Sequence, residues 1–430
     1  MTKILSRSQL IQSLSNQEQE YVLIQNPVGV FPAVEMSPLA KKIHETSELK
    51  AVVCDMDGTL TTTEGLCLHS LETMVRRWME PEAGKAWSGL EPEQDYPHII
   101  GNSTTRHVEY LWDTYGHLSD PDSFGKHFLQ AAYWILEKGQ DPVLMEEVHR
   151  QLVLIDLNKE TLAATLKSSK CIHLPEDSIR VSFAVTIYYQ RYHEILAAIG
   201  TSQMSAVAPD LNTLIEPMPG VALFLTLIKG LLTPTESLAL WPVWEQNLPS
   251  QIDTVLQDQE LKQAQENLRS LTERFSKAPL KVALVTSSID YEMRIVLREV
   301  FKALQAEISG WPLHSERISE LKQMFQDHTD ILDIEINASH SNEGRLKPHR
   351  DLYSMALQRL NINPEQFQHV IGFEDSESGT IAIRAAGVGL AIAVPFQDTS
   401  QHDLSAAAHV QPGGLAQAVL LNHLFIKHKG

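Results

Sequence analysis

Four short, uninterrupted apolar runs constrain this chain more than any other feature: Ala51 to Cys54, Val282 to Val285, His369 to Phe373 and Val388 to Val394, each bounded by turn or polar residues. Runs of this length without polar alternation fit strands covered on both faces, as in a buried parallel sheet. Amphipathic stretches accompany them. Tyr291 to Leu304 follows the second run and Thr380 to Ala386 the third, while Arg350 to Leu360 precedes the third with Leu352, Met355, Ala356 and Leu360 at helical spacing. Strands alternating with helices predict a doubly wound parallel α/β sheet.

In such a sheet ligands gather beyond the carboxyl ends of the strands, so the residues leaving each run are the candidates for chemistry. The first run exits at Asp55 and Asp57, the second at Thr286-Ser287-Ser288 and the third at Glu374-Asp375-Ser376. Two carboxylates one residue apart raise each other's pKa unless a cation or a proton intervenes. Asp55 and Asp57 therefore suggest a metal site, an acid/base pair, or both. Gly58 and Thr59 release the chain into a loop that a ligand can approach closely.

The remainder reads as insertions into that core. At 430 residues the chain exceeds one ordinary core, which suits several domains or one domain carrying large inserts. Between Gly65 and Pro219 helical patterns dominate, in Leu66 to Trp78, Ser103 to Tyr115 and Ser178 to Ile199. Pro217-Met218-Pro219-Gly220 reads as a stiff linker returning the chain to a core helix at Val221 to Ile228. A further insertion, 231–279, carries Leu261, Ala264, Leu268, Leu271 and Phe275 on one packed helix face. In the first fifty residues Tyr21 to Ile24 could add a strand, Asn26 to Pro32 is turn-rich, and the segment is expected to lie across the core.

A formal charge of -19 with no basic stripe disfavours nucleic acid and anionic membrane as partners. Cys54, Cys67 and Cys171 have neither CxxC nor His-paired spacing, so buried inert thiols are expected rather than disulfides or zinc. The sequence shows neither the h-region of a signal peptide nor an apolar run of bilayer length, and a cytoplasmic location is expected.

Four segments then occur in order: Asp55-Met56-Asp57-Gly58-Thr59-Leu60, Thr286 after an apolar strand, Lys347-Pro348 before Asp351-Leu352-Tyr353, and Gly372-Phe373-Glu374-Asp375-Ser376-Glu377-Ser378-Gly379. Together they resemble the four motifs of haloacid dehalogenase-like hydrolases. The last looks most like the beta-phosphoglucomutase and phosphoglycolate phosphatase branch. The resemblance covers the core segments, about half the chain. It implies a Rossmann-like α/β core formed by 1–64 and 216–430, with an N-terminal extension at 1–48 and the helical insertion at 231–279, and an inserted, enlarged all-helical cap over 65–215.

It also implies a Mg²⁺-dependent phosphatase acting on a small phosphorylated metabolite. One oxygen of Asp55 would bind Mg²⁺ while the other attacks phosphorus, giving an aspartyl-phosphate. Asp57 would protonate the leaving alcohol and then deprotonate the hydrolytic water. The resemblance places Mg²⁺ on Asp55, the backbone carbonyl of Asp57, Asp375 and Glu374, and hard oxygen ligands suit that ion over zinc. Lys347 supplies a fixed positive charge and Thr286 a hydroxyl to a phosphoryl oxygen, with the backbone N–H groups of Met56 and Ser287 completing the cradle.

Ile100-Gly101-Asn102-Ser103-Thr104-Thr105-Arg106 resembles the family's cap loop. Asn102, Ser103 and Arg106 are its substrate-binding candidates, beside the alternative of a plain helix capped by Ser103 with Arg106 in solvent. Cap closure would flex at Thr63 to Gly65 and at Pro217 to Gly220. Mutases of the family carry a His twelve residues after the nucleophile, where this chain has Cys67, so a sugar-phosphate mutase is the second reading and a catalytically silent binding protein the third. Asp57 disfavours dehalogenase and phosphonatase chemistry. The oligomeric state is left open.

Overall fold

Ten strands are found in chain order: β1 (Tyr21–Gln25), β2 (Val34–Pro38), β3 (Ala51–Asp55), β4 (Thr61–Thr62), β5 (Glu216–Pro217), β6 (Lys281–Val285), β7 (Ile334–Ile336), β8 (Val370–Glu374), β9 (Leu390–Ala393) and β10 (His409–Val410), counted among the described residues. The structure is a computed structural model that describes residues 7–15, 19–26, 31–100, 104–168, 177–201, 214–248, 258–341, 345–396 and 402–427. Six strands form one parallel sheet in the order β10-β9-β8-β3-β6-β7. The central strand, β3, is flanked by β8 and β6, so the three apolar runs with chemistry at their ends lie side by side.

Alternate residues of each strand enter opposite cores, as the two-residue period of a strand requires. Val52, Cys54, Val282, Leu284, Ile371 and Phe373 face one, and Ala51, Val53, Ala283, Val285 and Val370 the other. The second core is closed by Leu352, Tyr353, Ala356 and Leu357 from helix Asp351–Arg359 and by Ala382 and Ile383 from helix Glu377–Ala385. The first is closed by Val221–Ile228, Asp258–Phe275, Asp290–Ser309 and Gly414–Leu420. The sheet is therefore doubly wound, as expected. Helix Asp258–Phe275 buries Ala264, Leu268, Leu271 and Phe275 against Val221–Ile228 and Gly414–Leu420, which is why its spacing looks like one packed face.

The edge strands β7 and β10 were not anticipated. At three and two residues they carry too little pattern to separate from a loop, and neighbouring strands define them instead. Tyr21 to Gln25 is a strand, but it pairs antiparallel with β2 in a separate hairpin rather than adding to the main sheet. The segment after it does lie across the core. Ala40 N–H donates to Arg384 O at 2.9 Å, Ile43 N–H to Gly389 O at 2.9 Å, and the buried Arg384 guanidinium returns a bond from Nε to Ala40 O at 3.0 Å.

Among the described residues, every named element between β4 and β5 is a helix. Helix Asp177–Gly200 is their spine, packing on Glu64–Trp78, Thr104–Tyr115 and Pro121–Lys138. Two of these helices start alike: Asp120 and Asp141 cap Ser123 N and Val143 N, each followed by Pro at the first helical position. The two connections flanking the segment run side by side, with Thr61 opposite Pro217 and Thr62 opposite Glu216. No helix among the described residues is long and apolar enough to cross a membrane.

Candidate active site

Strand β3 ends on Asp55, and the chain then turns within a few residues. Thr61 N–H donates to Met56 O at 2.8 Å and Gly58 N–H to Thr61 O at 2.7 Å. Gly58 takes φ +80°, in the left-handed region that glycine alone enters freely. It also leaves no room: a Cβ there would stand 2.2 Å from Asp375 Oδ2. This turn sets the Asp57 carboxylate under Thr63 Oγ1, which donates to Oδ1 at 2.8 Å, and within 3.4 Å of Ser288 Oγ. Burial pushes the Asp57 carboxyl up to about 6, against the Thr63 bond and with help from Glu64 and Glu292.

Beside it, the Lys347 ammonium bridges two strand ends. It donates to Asp55 Oδ1, to Glu374 Oε1 at 2.7 Å and to Val285 O at 3.2 Å, and lies 5.3 Å from the centre of the Tyr353 ring. Burial alone would lower its pKa, but the Asp55 and Glu374 carboxylates outweigh burial and hold it above the usual lysine range. Glu374 is fully enclosed. Its Oε1 also accepts Tyr353 OH at 3.3 Å, and Oε2 accepts Asp375 N and Ser376 N at 3.0 Å and Ser376 Oγ at 2.8 Å. A Cβ on Gly379 would fall 1.6 Å from Glu374 Oε1. Burial favours its neutral form, but Lys347 and then Ser376 hold Glu374 below the usual carboxylate range.

Asp55, Glu374 and Asp375 each bring one oxygen within 4.8 Å of the others. Asp375 is 5% exposed, and its carboxylate has no hydrogen-bond donor among the described residues. Burial, followed by repulsion from Glu374 and Asp55, raises it well above the ordinary range. Asp55 is raised too, because burial outweighs the attraction of Lys347 and Glu374 and Asp57 repel it further. A buried carboxylate without a donor, among hard oxygens with excess negative charge, fits a small divalent cation.

These groups form one end of a cavity of about 500 Å³. Asp55, Asp57, Thr286, Ser287, Lys347, Glu374 and Asp375 all line it, so seven of the ten residues singled out in the sequence converge. Thr286 is buried, with Oγ1 accepting Ser288 N–H at 3.0 Å. Asn102 and Ser103 lie outside the described residues. Arg106 is exposed and does not line the cavity; Thr104, Thr105 and His107 of the same helix do. Cys54 is buried, as expected, whereas Cys67 is half-buried on the cavity wall with its thiol pushed up to about 12 by burial. Cys171 lies outside the described residues.

The cap side of the lining carries residues that are not among the sequence candidates. Tyr188, Tyr189 and Tyr192 from helix Asp177–Gly200 line the cavity, together with Glu64 and Glu292. Tyr189 OH donates to Thr104 Oγ1 at 3.2 Å, and His193 Nε2 meets Glu292 Oε1 at 2.8 Å. The sequence signal for this wall was only the aromatic richness of Ser178 to Ile199, which a packed helix shows equally.

No protein-family model matches the chain, and no curated protein matches it. Among solved structures it is similar to CbbY from Rhodobacter sphaeroides in complex with phosphate, at 16% identity over 87% of this chain and 99% of that one, with a TM-score of 0.41. A HAD family hydrolase from Deinococcus radiodurans R1 with bound phosphate and sodium is 15% identical over 88% of this chain and 98% of its own, with a TM-score of 0.41. The beta-phosphoglucomutase of Clostridium difficile is 13% identical over 84% and 90%, with a TM-score of 0.35.

Proposed function

We propose that the chain is a Mg²⁺-dependent phosphatase of the haloacid dehalogenase-like type, hydrolysing a small phosphorylated metabolite through an aspartyl-phosphate on Asp55. The observation that carries this reading is the convergence of Asp55, Asp57, Lys347 and Asp375 at one end of a single cavity. Residues 65–215 act as the cap and the remainder as the core, with the paired strands β4 and β5 as the hinge.

A carboxylate oxygen of Asp55 attacks phosphorus as the ester P–O bond breaks, and Asp57 gives its proton to the departing alkoxide. Water then attacks phosphorus, Asp57 takes the proton, and the Asp55 carboxylate is restored. An acid raised to about 6 holds a proton in a useful fraction near neutral pH. Lys347 and the Thr286 hydroxyl meet the charge on the transferring group with donors already in place. Mg²⁺, held by Asp55 and Asp375 with the Asp57 carbonyl, would neutralise phosphoryl oxygens as a Lewis acid. We assign Glu374 to positioning Lys347 rather than to the metal, because both of its oxygens are already occupied.

Cys67 supports phosphatase over mutase: burial keeps its thiol protonated near neutral pH, so it offers no base where the mutases carry a His. The test is a phosphate-release screen over sugar phosphates, phosphoglycolate and nucleotides, with and without Mg²⁺. Mg²⁺-dependent release is expected. Faster interconversion of hexose-phosphate isomers than release would assign a mutase, and no turnover of any ester would favour a silent binding protein.

A further inference from the structure

The cavity lining around Asp57 has a definite charge. Lys347 is the only Lys or Arg among the described lining residues, and it is already committed to Asp55 and Glu374. Glu64 and Glu292 line the cavity as well, near enough to Asp57 to help raise its carboxyl. Whatever charge His193 carries, its pair with Glu292 is at most neutral, and Glu64 adds a negative charge. Around them lie three tyrosine rings, Tyr188 within 5.1 Å of Tyr189 and 5.6 Å of Tyr192, centre to centre. Tyr192 is 8% exposed and lines the cavity with no hydrogen-bond partner for its hydroxyl among the described residues.

A second anion on the substrate, whether carboxylate or phosphate, would find no uncommitted Lys or Arg among the described lining residues, and in a low-dielectric cleft repulsion between like charges is costly. An organic cation finds the reverse: tyrosine rings, the Glu64 carboxylate, the Glu292–His193 pair and, in Tyr192, a hydroxyl without a partner among the described residues. We propose that this wall of the cavity receives the leaving alcohol of a phosphate monoester bearing an ammonium group, and turns away alcohols that carry a second anion. The inference rests on the phosphatase reading and names the substrate class of the same site.

The test compares three esters of similar size with Mg²⁺ present: phosphocholine, glycerol phosphate and phosphoglycolate. The expected order of kcat/KM is cationic, neutral, anionic, with about tenfold at each step. Glu292→Gln and Glu64→Gln should each shrink the cationic-to-anionic ratio; Glu64 is half-buried, so its variant folds even where the buried one does not. Equal or reversed preference with turnover intact overturns this inference and leaves the phosphatase reading standing. If no ester turns over, that reading falls instead, and calorimetry of the full chain with free choline and with glycolate decides the charge selectivity. Choline binding with glycolate silent supports it, and any other pattern overturns it.

Discussion

The strand-end and helix-wall sides of the cavity, called its two ends, are built on different principles. At the strand ends two charged groups are held from several sides, Lys347 by Asp55, Glu374 and Val285 O, and Glu374 by four further donors from Tyr353, Asp375 and Ser376. Gly58 and Gly379 are fixed by atoms that would occupy the space of a side chain. The facing wall is an aromatic helix surface with few polar ties. Rigid donors suit a reacting group whose charge changes, while a looser wall suits the choice of alcohol. On the proposed reading the strand ends carry the reaction and the cap wall selects the ester.

The contrast predicts unequal effects. Asp55→Asn removes the nucleophile and should lower Mg²⁺-dependent phosphate release by roughly 10⁴-fold or more, read in a steady-state assay. Lys347→Ala should lose about 10²–10³-fold in kcat and also cost about 3 kcal/mol in urea unfolding, since Glu374 would be left buried without its partner. Mg²⁺ should raise the melting temperature of the unaltered protein by relieving repulsion between Asp55 and Asp375, and Asp375→Asn should abolish that rise in a thermal scan. Tyr192→Ala should change kcat/KM by only about tenfold, mostly through KM. Equal losses in Tyr192→Ala and Lys347→Ala would erase the distinction between the two ends.

The smallest effect separates fold from site. His328 lies away from the cavity, with Nε2 3.0 Å from Glu335 on β7, and the Glu335 bond raises its pKa above the usual 6.5. A raised histidine stabilises fully below its unfolded value, and the contribution fades as pH rises through the folded one. His328→Gln should therefore cost about 1 kcal/mol at pH 5.5 and close to nothing at pH 8.5 in urea titrations. Its phosphate release should match the parent at both values.

The sequence conveyed these two ends to different degrees. Continuous apolar runs marked β3, β6, β8 and β9 because strands buried on both faces have no polar alternation, and each handed its exit residues to the site. Lys347 sits in no strand and was found only by its place among ordered motifs. Glu374 is a ligand candidate in the sequence and belongs to the three-carboxylate group with Asp55 and Asp375, while the positioning role proposed for it rests on contacts that the sequence does not show. Its enclosure by Ser376 and Tyr353 is a tertiary fact. The cap wall stayed hidden for a similar reason: Tyr188, Tyr189 and Tyr192 at helical spacing suit a packed core as well as a cavity lining. Arg106 was a sequence candidate by charge and position, yet the helix turns Thr104, Thr105 and His107 to the cavity instead.

The central claim is that the phosphoryl group passes through Asp55. Acid quench of the protein during turnover of an accepted ester, followed by peptide mass spectrometry, should find a hydroxylamine-sensitive phosphoryl group on the peptide containing Asp55. Full turnover by Asp55→Asn, or a phosphoryl group carried by a different residue, would contradict it.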